Sequence, residues 1–228
     1  MILARRGAQS GVISPTIKTL GKFQNMGWVP KEVRKKLDQA NASSYQLKIT
    51  LVGLEPTIWR QVLVPGDVNL AGLHWVIQCV MGWSNSHLHM FHVGKQRFGP
   101  KTPDWDDVQD ERKVILQDIA PKAGTKFFYE YDMGDSWMHQ VKIEKITQLE
   151  SGFQKPECLA GERVCPPEDC GGIGGYEDML AALRDPKHEQ HDEMVEWIGE
   201  DFNPEDFDLA LENKALGHKA EISKKEGF

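Results

Sequence analysis

Alternating apolar and polar residues that begin at position 45 constrain this chain more than any other feature of its sequence. In YQLKITLV, the apolar residues Tyr45, Leu47, Ile49 and Leu51 alternate with polar ones, which is the two-residue period of a half-buried β-strand. The short segment GLEPT then leads into IWRQVLV, which predicts a second strand. Because the connection is short, we expect the two strands to form an antiparallel hairpin.

A helix and further strands are predicted after this hairpin. Asn69 is a suitable N-cap for LAGLHWVIQCVMGW, in which apolar residues recur at helical spacing and Gly82 ends the helix. HLHMFHV, KFFYEY and WMHQVKIEKI predict three more strands, whereas the polar, turn-rich residues 99–112 predict a surface loop. From Tyr176 onward the pattern is helical in three segments that prolines separate. The chain is therefore predicted to be an α+β protein. Its mixed or antiparallel sheet opens ββα, as a β-grasp sheet does, and a C-terminal helical segment follows.

Charge is unevenly distributed along the chain and suggests its organisation. The net charge is −7, yet residues 1–44 carry +6 and the remainder carries −13. We predict a basic N-terminal extension over residues 1–44 with one short helix from Pro30, a single α+β domain over residues 45–216, and a frayed tail over residues 217–228. An acidic body repels nucleic-acid phosphates, so contact with nucleic acid is expected only through the basic extension, which is otherwise a solvated arm.

The apolar runs of the sequence are too short to cross a membrane. No window approaches eighteen consecutive apolar residues, and the first residues lack the apolar core of a signal peptide. The chain is therefore predicted to be soluble and cytoplasmic, with no membrane partner. In that compartment its four cysteines are expected to be reduced or metal-bound rather than bridged.

The stretch CLAGERVCPPEDCGG, residues 158–172, concentrates three of those cysteines. Thiolates bind zinc well, and four ligands complete a tetrahedron. The predicted ligands are Cys158, Cys165, Cys170 and His139, with His87 and His89 as alternates to the histidine. The spacing lacks the short CxxC knuckles of a strong zinc motif, so two alternatives stay open. The stretch could be a proline-stiffened loop with small buried thiols, or its cysteines could have a redox or nucleophilic role.

The segment YDMGDSWMH is a second candidate site. Two turn carboxylates and a histidine, Asp132, Asp135 and His139, suit a divalent metal or general acid–base chemistry. His87 and His89, two positions apart in HLHMFH, form a further candidate metal pair on one strand face. The alternatives are plain turn geometry for the aspartates, ordinary packing of His139 on an apolar face, and a polar, solvent-facing strand edge for His87 and His89.

Five motifs in order resemble the plasmid pRiA ORF-three-like family, whose members are described as insertion-element passenger proteins of TnpR type. They are GLEPTIWRQVLVP, LHWVIQCVMGWSNSHLHMF, YEYDMGDSWMH, CLAGERVCPPEDCGGIGGYEDML and DPKHEQHDEMVEWIGEDFNPEDFD, and the resemblance covers about residues 45–216. It implies an α+β domain and an association with mobile elements, and it carries over no catalytic residues. The three cysteines match the family pattern, while Met133 stands where the family usually has Phe.

Three hypotheses for function follow, and the sequence leaves open whether the chain is an enzyme. The first is a zinc-stabilised accessory domain that binds a protein, or nucleic acid through residues 1–44. The second is a metal-dependent hydrolase, such as a nuclease, with a bound water as nucleophile. Its predicted ligands are Asp132, Asp135, His87, His89 and His139. The third is a protein–protein adaptor that uses exposed Trp59, Trp105 or the helical end.

Overall fold

The computed structural model describes residues 43–103, 105–148 and 155–226, with side chains as far as residue 217. The predicted basic extension and its short helix lie outside these ranges, except for residues 43 and 44. Within them, none of the helices combines the length and the apolar character that a membrane crossing needs.

Eight strands of the described chain form one sheet. They are β1 Ser43–Leu51, β2 Trp59–Pro65, β3 His89–Val93, β4 Gln96–Gly99, β5 Gln109–Asp110, β6 Lys126–Tyr131, β7 Trp137–Gln148 and β8 Glu157–Glu162. Their order across the sheet is β5-β4-β3-β6-β7-β1-β2-β8. Neighbouring strands are antiparallel apart from the parallel pair β4 and β5. The sheet is therefore mixed and opens with an antiparallel hairpin, as predicted.

The alternation in β1 is confirmed by its burial. Tyr45, Leu47, Ile49 and Leu51 are all buried, whereas the polar residues between them are partly exposed. Leu47 pairs with Val62 of β2 on one side and with β7 on the other. Because β1 lies inside the sheet and its apolar residues share one face, the hydrophobic pattern fixes which face is buried, while the register with β7 shifts once, between Gln46 and Leu47.

Five α-helices complete the described fold, which is α+β as predicted. They are α1 Leu70–Met81, α2 Leu116–Ile119, α3 Gly172–Arg184, α4 His191–Ile198 and α5 Leu209–Glu226. Asn69 caps α1 as expected, since its Oδ1 accepts the N–H of Gly72 at 2.8 Å, and Gly82 ends the helix in the left-handed conformation. Leu73 and Ile77 of α1 belong to the same core as the buried face of the sheet.

Three short strands were not predicted. β4 follows β3 after a two-residue turn at Gly94, and β5 lies in the polar segment 99–112 that was expected to be loop throughout. β8 carries Cys158, so the cysteine stretch begins as a strand rather than a loop. These strands are two to six residues long and have little apolar alternation, so they depend on hydrogen bonds to an existing strand edge.

A buried arginine lies on the inner face of β2. Arg60 is only 1 % exposed, and its Nε donates to the Val80 carbonyl at 2.7 Å. Its Nη1 donates to the Glu162 carbonyl at 3.0 Å, and its Nη2 lies 3.8 Å from the Glu212 carboxylate. The guanidinium also stacks over the ring of Phe207. One charged side chain therefore connects β2 to α1, β8 and α5.

Two adjacent glycines of α3 give a matched test of packing against the cysteine stretch. A Cβ at position 175 would lie 1.9 Å from the Cys170 carbonyl oxygen, whereas one at position 174 would meet nothing within 4 Å. We expect Gly175→Ala to lower the free energy of unfolding by about 3 kcal/mol. We expect Gly174→Ala to raise it by up to about 1 kcal/mol, because alanine is the better helix former. Urea denaturation measures both, and changes of the same sign would contradict this packing.

The carboxyl group of Glu212 predicts how stability depends on pH. Burial raises its pKa to about 7, although the nearby Arg60 charge opposes the shift. The folded state therefore holds this proton more tightly than the unfolded state does. The resulting stabilisation is complete below the ordinary glutamate pKa and is lost as the pH rises through about 7. Between pH 4 and pH 8, we expect wild type to lose about 2 kcal/mol relative to Glu212→Gln.

Urea denaturation at the two pH values measures this difference. Glu200→Gln, at an exposed position, is the matched control and should follow wild type across the range. Parallel pH profiles for Glu212→Gln and wild type would contradict the prediction.

Candidate functional site

Three separate segments of the chain meet at one end of the sheet. They are residues 84–88 before β3, the turn 132–136 between β6 and β7, and the loop 163–171 before α3. The Asp132 N–H donates to the Leu88 carbonyl at 2.9 Å, and the Gly171 N–H donates to Asp135 Oδ2 at 3.2 Å. A Cβ at Gly172 would lie 2.7 Å from the Asp135 carbonyl oxygen, so the loop can approach the turn this closely only with glycine there.

Glu168 joins these segments through its carboxylate. One oxygen accepts the Ser84 N–H at 3.1 Å and the Ser84 hydroxyl, and the other accepts the hydroxyl of Tyr131. The Tyr131 oxygen in turn accepts the N–H of Ser86 at 3.0 Å. Burial opposes ionisation of Glu168, but these hydrogen bonds hold its pKa below the ordinary value. The loop before α3 is thus attached to the segment that carries His87.

The ring of His87 lies between two carboxylates. Its Nδ1 is 3.6 Å from Asp132 Oδ2, and its Nε2 is 3.2 Å from Asp169 Oδ1. Each of the three residues can offer one ligand atom such that all three atoms lie within 4.8 Å of one another. Within the described ranges, no other three His, Cys, Asp or Glu residues form such a group.

The three residues differ in how firmly they are held. Asp132 is buried, has a positive φ of 56°, and accepts the Gly134 N–H at 2.9 Å through its side chain. The side chain of His87 is 27 % exposed and that of Asp169 is 72 % exposed. One carboxylate is therefore fixed by its turn, and the other faces solvent, so a cation could enter from the Asp169 side.

A groove begins beside Asp169 and runs between α3 and α4. Its volume is 510 Å³, and its lining residues are Asp169, Cys170, Gly175, Met179, Glu193, Met194, Glu196 and Trp197. Trp197 is 48 % exposed. The predicted adaptor tryptophans, Trp59 and Trp105, are both partly buried, so the most exposed indole in the described chain belongs to this groove instead.

Among the described residues, the three predicted cysteine ligands do not bring their sulfur atoms into one close group of ligand atoms. Cys158 is buried in β8. Cys165 is buried beside Arg60, with its Sγ 3.0 Å from the Met81 Sδ, and Cys170 is partly buried in the groove wall. Burial raises the pKa of Cys158 to about 11 and those of Cys165 and Cys170 to about 12. All three thiols are therefore neutral at physiological pH in the absence of a metal ion.

His139 and His89 lie in the core rather than beside the cysteines. His139 is fully buried against the rings of Trp83 and Tyr129, and burial lowers its pKa to about 4. His89 stacks on His74 with ring centroids 3.5 Å apart and binds Glu111 at 2.7 Å. His87 lies before β3, so His87 and His89 do not share one face of that strand, contrary to the prediction.

The structure thus brings together part of the His–Asp candidate set but not the cysteine set. His87 and Asp132 meet, Asp135 is nearby in the same turn, and His139 lies among aromatic rings. Asp169 was not among the predicted ligands, although it stands within the stretch CLAGERVCPPEDCGG. The sequence signal for it is the acidic pair Glu168 and Asp169 between the prolines and the last cysteine.

The match to a protein family covers the residues of this site. The model of the plasmid pRiA4b ORF-3-like protein family matches residues 43–211. The uncharacterized protein y4hQ of Sinorhizobium fredii (strain NBRC 101917 / NGR234) is 42 % identical over 181 residues, which are 78 % of this chain and 91 % of y4hQ. The crystal structure of MM3350, a protein of unknown function from Methanosarcina mazei Go1, has a TM-score of 0.68 at 38 % identity. That match covers 74 % of this chain and 97 % of the MM3350 chain.

The hydrogen bonds of Glu168 predict a loss of stability when its carboxylate is removed. Glu168→Ala leaves the Ser84 and Tyr131 donors without their acceptor, so we expect the free energy of unfolding to fall by about 3 kcal/mol. Glu162→Ala is the matched control, because Glu162 is an exposed glutamate that accepts one bond, from Trp59 Nε1. It should cost less than about 1 kcal/mol. Equal losses in urea denaturation would show that Glu168 does not join the three segments.

Proposed function

The chain belongs to the plasmid pRiA4b ORF-3-like family, and from the geometry of its own site we propose that it is a binding domain that holds one divalent metal ion. His87, Asp132 and Asp169 are the proposed ligands. The observation that carries the proposal is the approach of these three ligand atoms to within 4.8 Å of one another.

The distances suit an ion after small side-chain movements. A zinc or similar ion bonds to histidine nitrogen and carboxylate oxygen at about 2.0–2.2 Å, so two ligand atoms of a tetrahedral ion are about 3.4 Å apart. The separations of 3.6 Å and 3.2 Å around His87 lie on either side of that value. They involve different ring nitrogens, so one of the carboxylates must move toward the nitrogen that binds. The exposed side chain of Asp169 is free to do so.

The donor set indicates which ions would bind. One imidazole and two carboxylates suit the borderline ion Zn²⁺ or the harder ion Mn²⁺ better than soft ions such as Cu⁺. Without an ion, the pairing of His87 with the exposed Asp169 contributes little because solvent screens it. A doubly charged ion bound between both carboxylates has a stronger electrostatic attraction to them than His87 has to Asp169 alone. The Gly134 N–H bond that orients Asp132 is the kind of outer hydrogen bond that supports a metal ligand.

A metal-dependent hydrolase is the second candidate function, and the open geometry of the site favours it. Three protein ligands leave at least one coordination position for water, as catalytic sites do. The groove next to Asp169 has room for a substrate. Its carboxylates disfavour a nucleic-acid substrate, because they repel phosphates. Nucleic-acid binding by residues 1–44 and a cytoplasmic location remain predictions.

Zinc binding by the full-length protein tests the proposal. We expect wild type to bind about one Zn²⁺ per chain in isothermal titration calorimetry after treatment with a chelator. His87→Ala, Asp132→Asn and Asp169→Asn should each weaken binding tenfold or more, because each removes one ligand. Binding should also weaken in acidic buffer, since the ligands must be deprotonated.

His92→Ala is the matched control, because His92 is a similarly exposed histidine beside a single carboxylate, that of Glu130. It should bind zinc as wild type does. Serine variants at Cys158, Cys165 and Cys170 test the cysteine hypothesis in the same assay. Loss of zinc in the serine variants, with the His87 variant unaffected, would reject the His–Asp site and favour the thiols.

A further inference from the structure

The groove between α3 and α4 has a one-sided charge. Among the described residues that line it, three are carboxylates, namely Asp169, Glu193 and Glu196, and none is lysine, arginine or histidine. Carboxylates stand on both walls, because Asp169 precedes α3 and the two glutamates belong to α4. A concave surface that carries one sign of charge concentrates ligands of the opposite sign.

Three apolar side chains of different exposure also line the groove. Met179 of α3 belongs to the core and is only 3 % exposed, Met194 of α4 is partly buried against the core, and Trp197 of α4 is exposed. Glu193, Glu196 and Trp197 lie on one face of α4, since residues three and four positions apart are neighbours on a helix. An indole beside carboxylates attracts cations through its π face as well as through charge. Thioether side chains adapt to the shape of an apolar ligand.

Helix α4 is at least partly exposed along its whole length. None of its eight residues is buried, and it carries the most exposed tryptophan of the described chain, Trp197. An exposed aromatic side chain in a concave site of 510 Å³ is typical of a binding surface rather than of core packing.

We infer that this groove binds a small organic cation, and specifically an alkyl chain that carries ammonium or guanidinium groups. The hydrocarbon chain would pack mainly on Trp197 and on the accessible part of Met194. The charged ends would pair with Asp169 on one wall and with Glu193 and Glu196 on the other. A dication fits best, because the carboxylates stand on both walls of the groove.

The inference does not depend on the proposed metal site, although Asp169 belongs to both. Glu193, Glu196 and Trp197 are outside the proposed metal ligands, and His87 is outside the groove lining. Variants of these residues therefore separate failure of one proposal from failure of the other.

The test is calorimetric titration of the metal-free full-length protein with 1,5-diaminopentane at low ionic strength. We expect binding that weakens as salt is added. Trp197→Ala should raise the dissociation constant about threefold or more, and the double variant Glu193→Gln with Glu196→Gln should raise it about tenfold. Zinc affinity should be unchanged in both variants, and His87→Ala should bind the diamine as wild type does.

Two controls test whether charge drives diamine binding and whether the diamine binds in the groove. The neutral isostere 1,5-pentanediol should not bind, and equal binding of the diol would overturn the electrostatic basis. Trp75→Ala changes another partly exposed tryptophan, 39 % exposed on α1, and should have no effect. A loss of diamine binding in this variant equal to that in Trp197→Ala would overturn the assignment to the groove. Absence of diamine binding at millimolar concentration would overturn the inference.

Titration with a capped lysine, N-acetyl-lysine N-methylamide, tests whether the bound cation is a free small molecule or a lysine side chain of a partner protein. Weaker binding of the capped lysine than of the diamine supports a free small ligand. Tighter binding of the capped lysine would overturn that assignment and favour a lysine side chain on a partner protein.

Discussion

Arg60 enters the core from β2, and because a buried guanidinium must be hydrogen bonded, several other parts of the chain are arranged around it. Its partners are the end of α1 at Val80, the end of β8 at Glu162 and the α5 residue Glu212. Leaving such a charge buried and unpaired would cost several kcal/mol. The positions of β8 and α5 at this edge of the sheet are therefore tied to one side chain.

The candidate site depends on that arrangement. The loop 163–171 leaves β8 immediately beside Arg60, and the Pro166 carbonyl then accepts the indole N–H of Trp83 at 2.9 Å. This anchor lies two residues before Glu168, whose carboxylate attaches the loop to Ser84 and Tyr131. Asp169 reaches His87 because the loop is held at both points. The approach of the three proposed metal ligands is thus a consequence of core packing more than of local sequence.

Acidic charge connects the proposed site with the rest of the domain. Residues 45–228 carry a net charge of −13, and the carboxylates of the groove and of the His87 cluster are part of that excess. Such a surface favours cations, whether a metal ion or an organic base, and disfavours phosphates.

The buried histidines His74 and His89 take part in core packing instead. The stacked pair of His74 and His89, with Glu111 and Tyr129, forms a hydrogen-bonded network inside the core.

The sequence by itself determined the elements whose hydrophobic pattern is strong. The alternation from Tyr45 to Leu51 specified β1 and its buried face, and Asn69 and Gly82 bounded α1, because periodicity and capping are local properties. Strands β4, β5 and β8 escaped prediction since they are short and exist only through pairing with a neighbour.

Only the tertiary structure decided which polar side chains meet. His87, Asp132 and Asp169 are far apart in the chain, and their approach depends on hydrogen bonds made by Arg60, Trp83 and Glu168. The same packing keeps the three cysteines from forming one close group of ligand atoms, although they are close in sequence. The spacing of two residues along the chain indicates their distance in space only when both lie in one helix or strand. For residues in different elements, the packing of the core determines that distance.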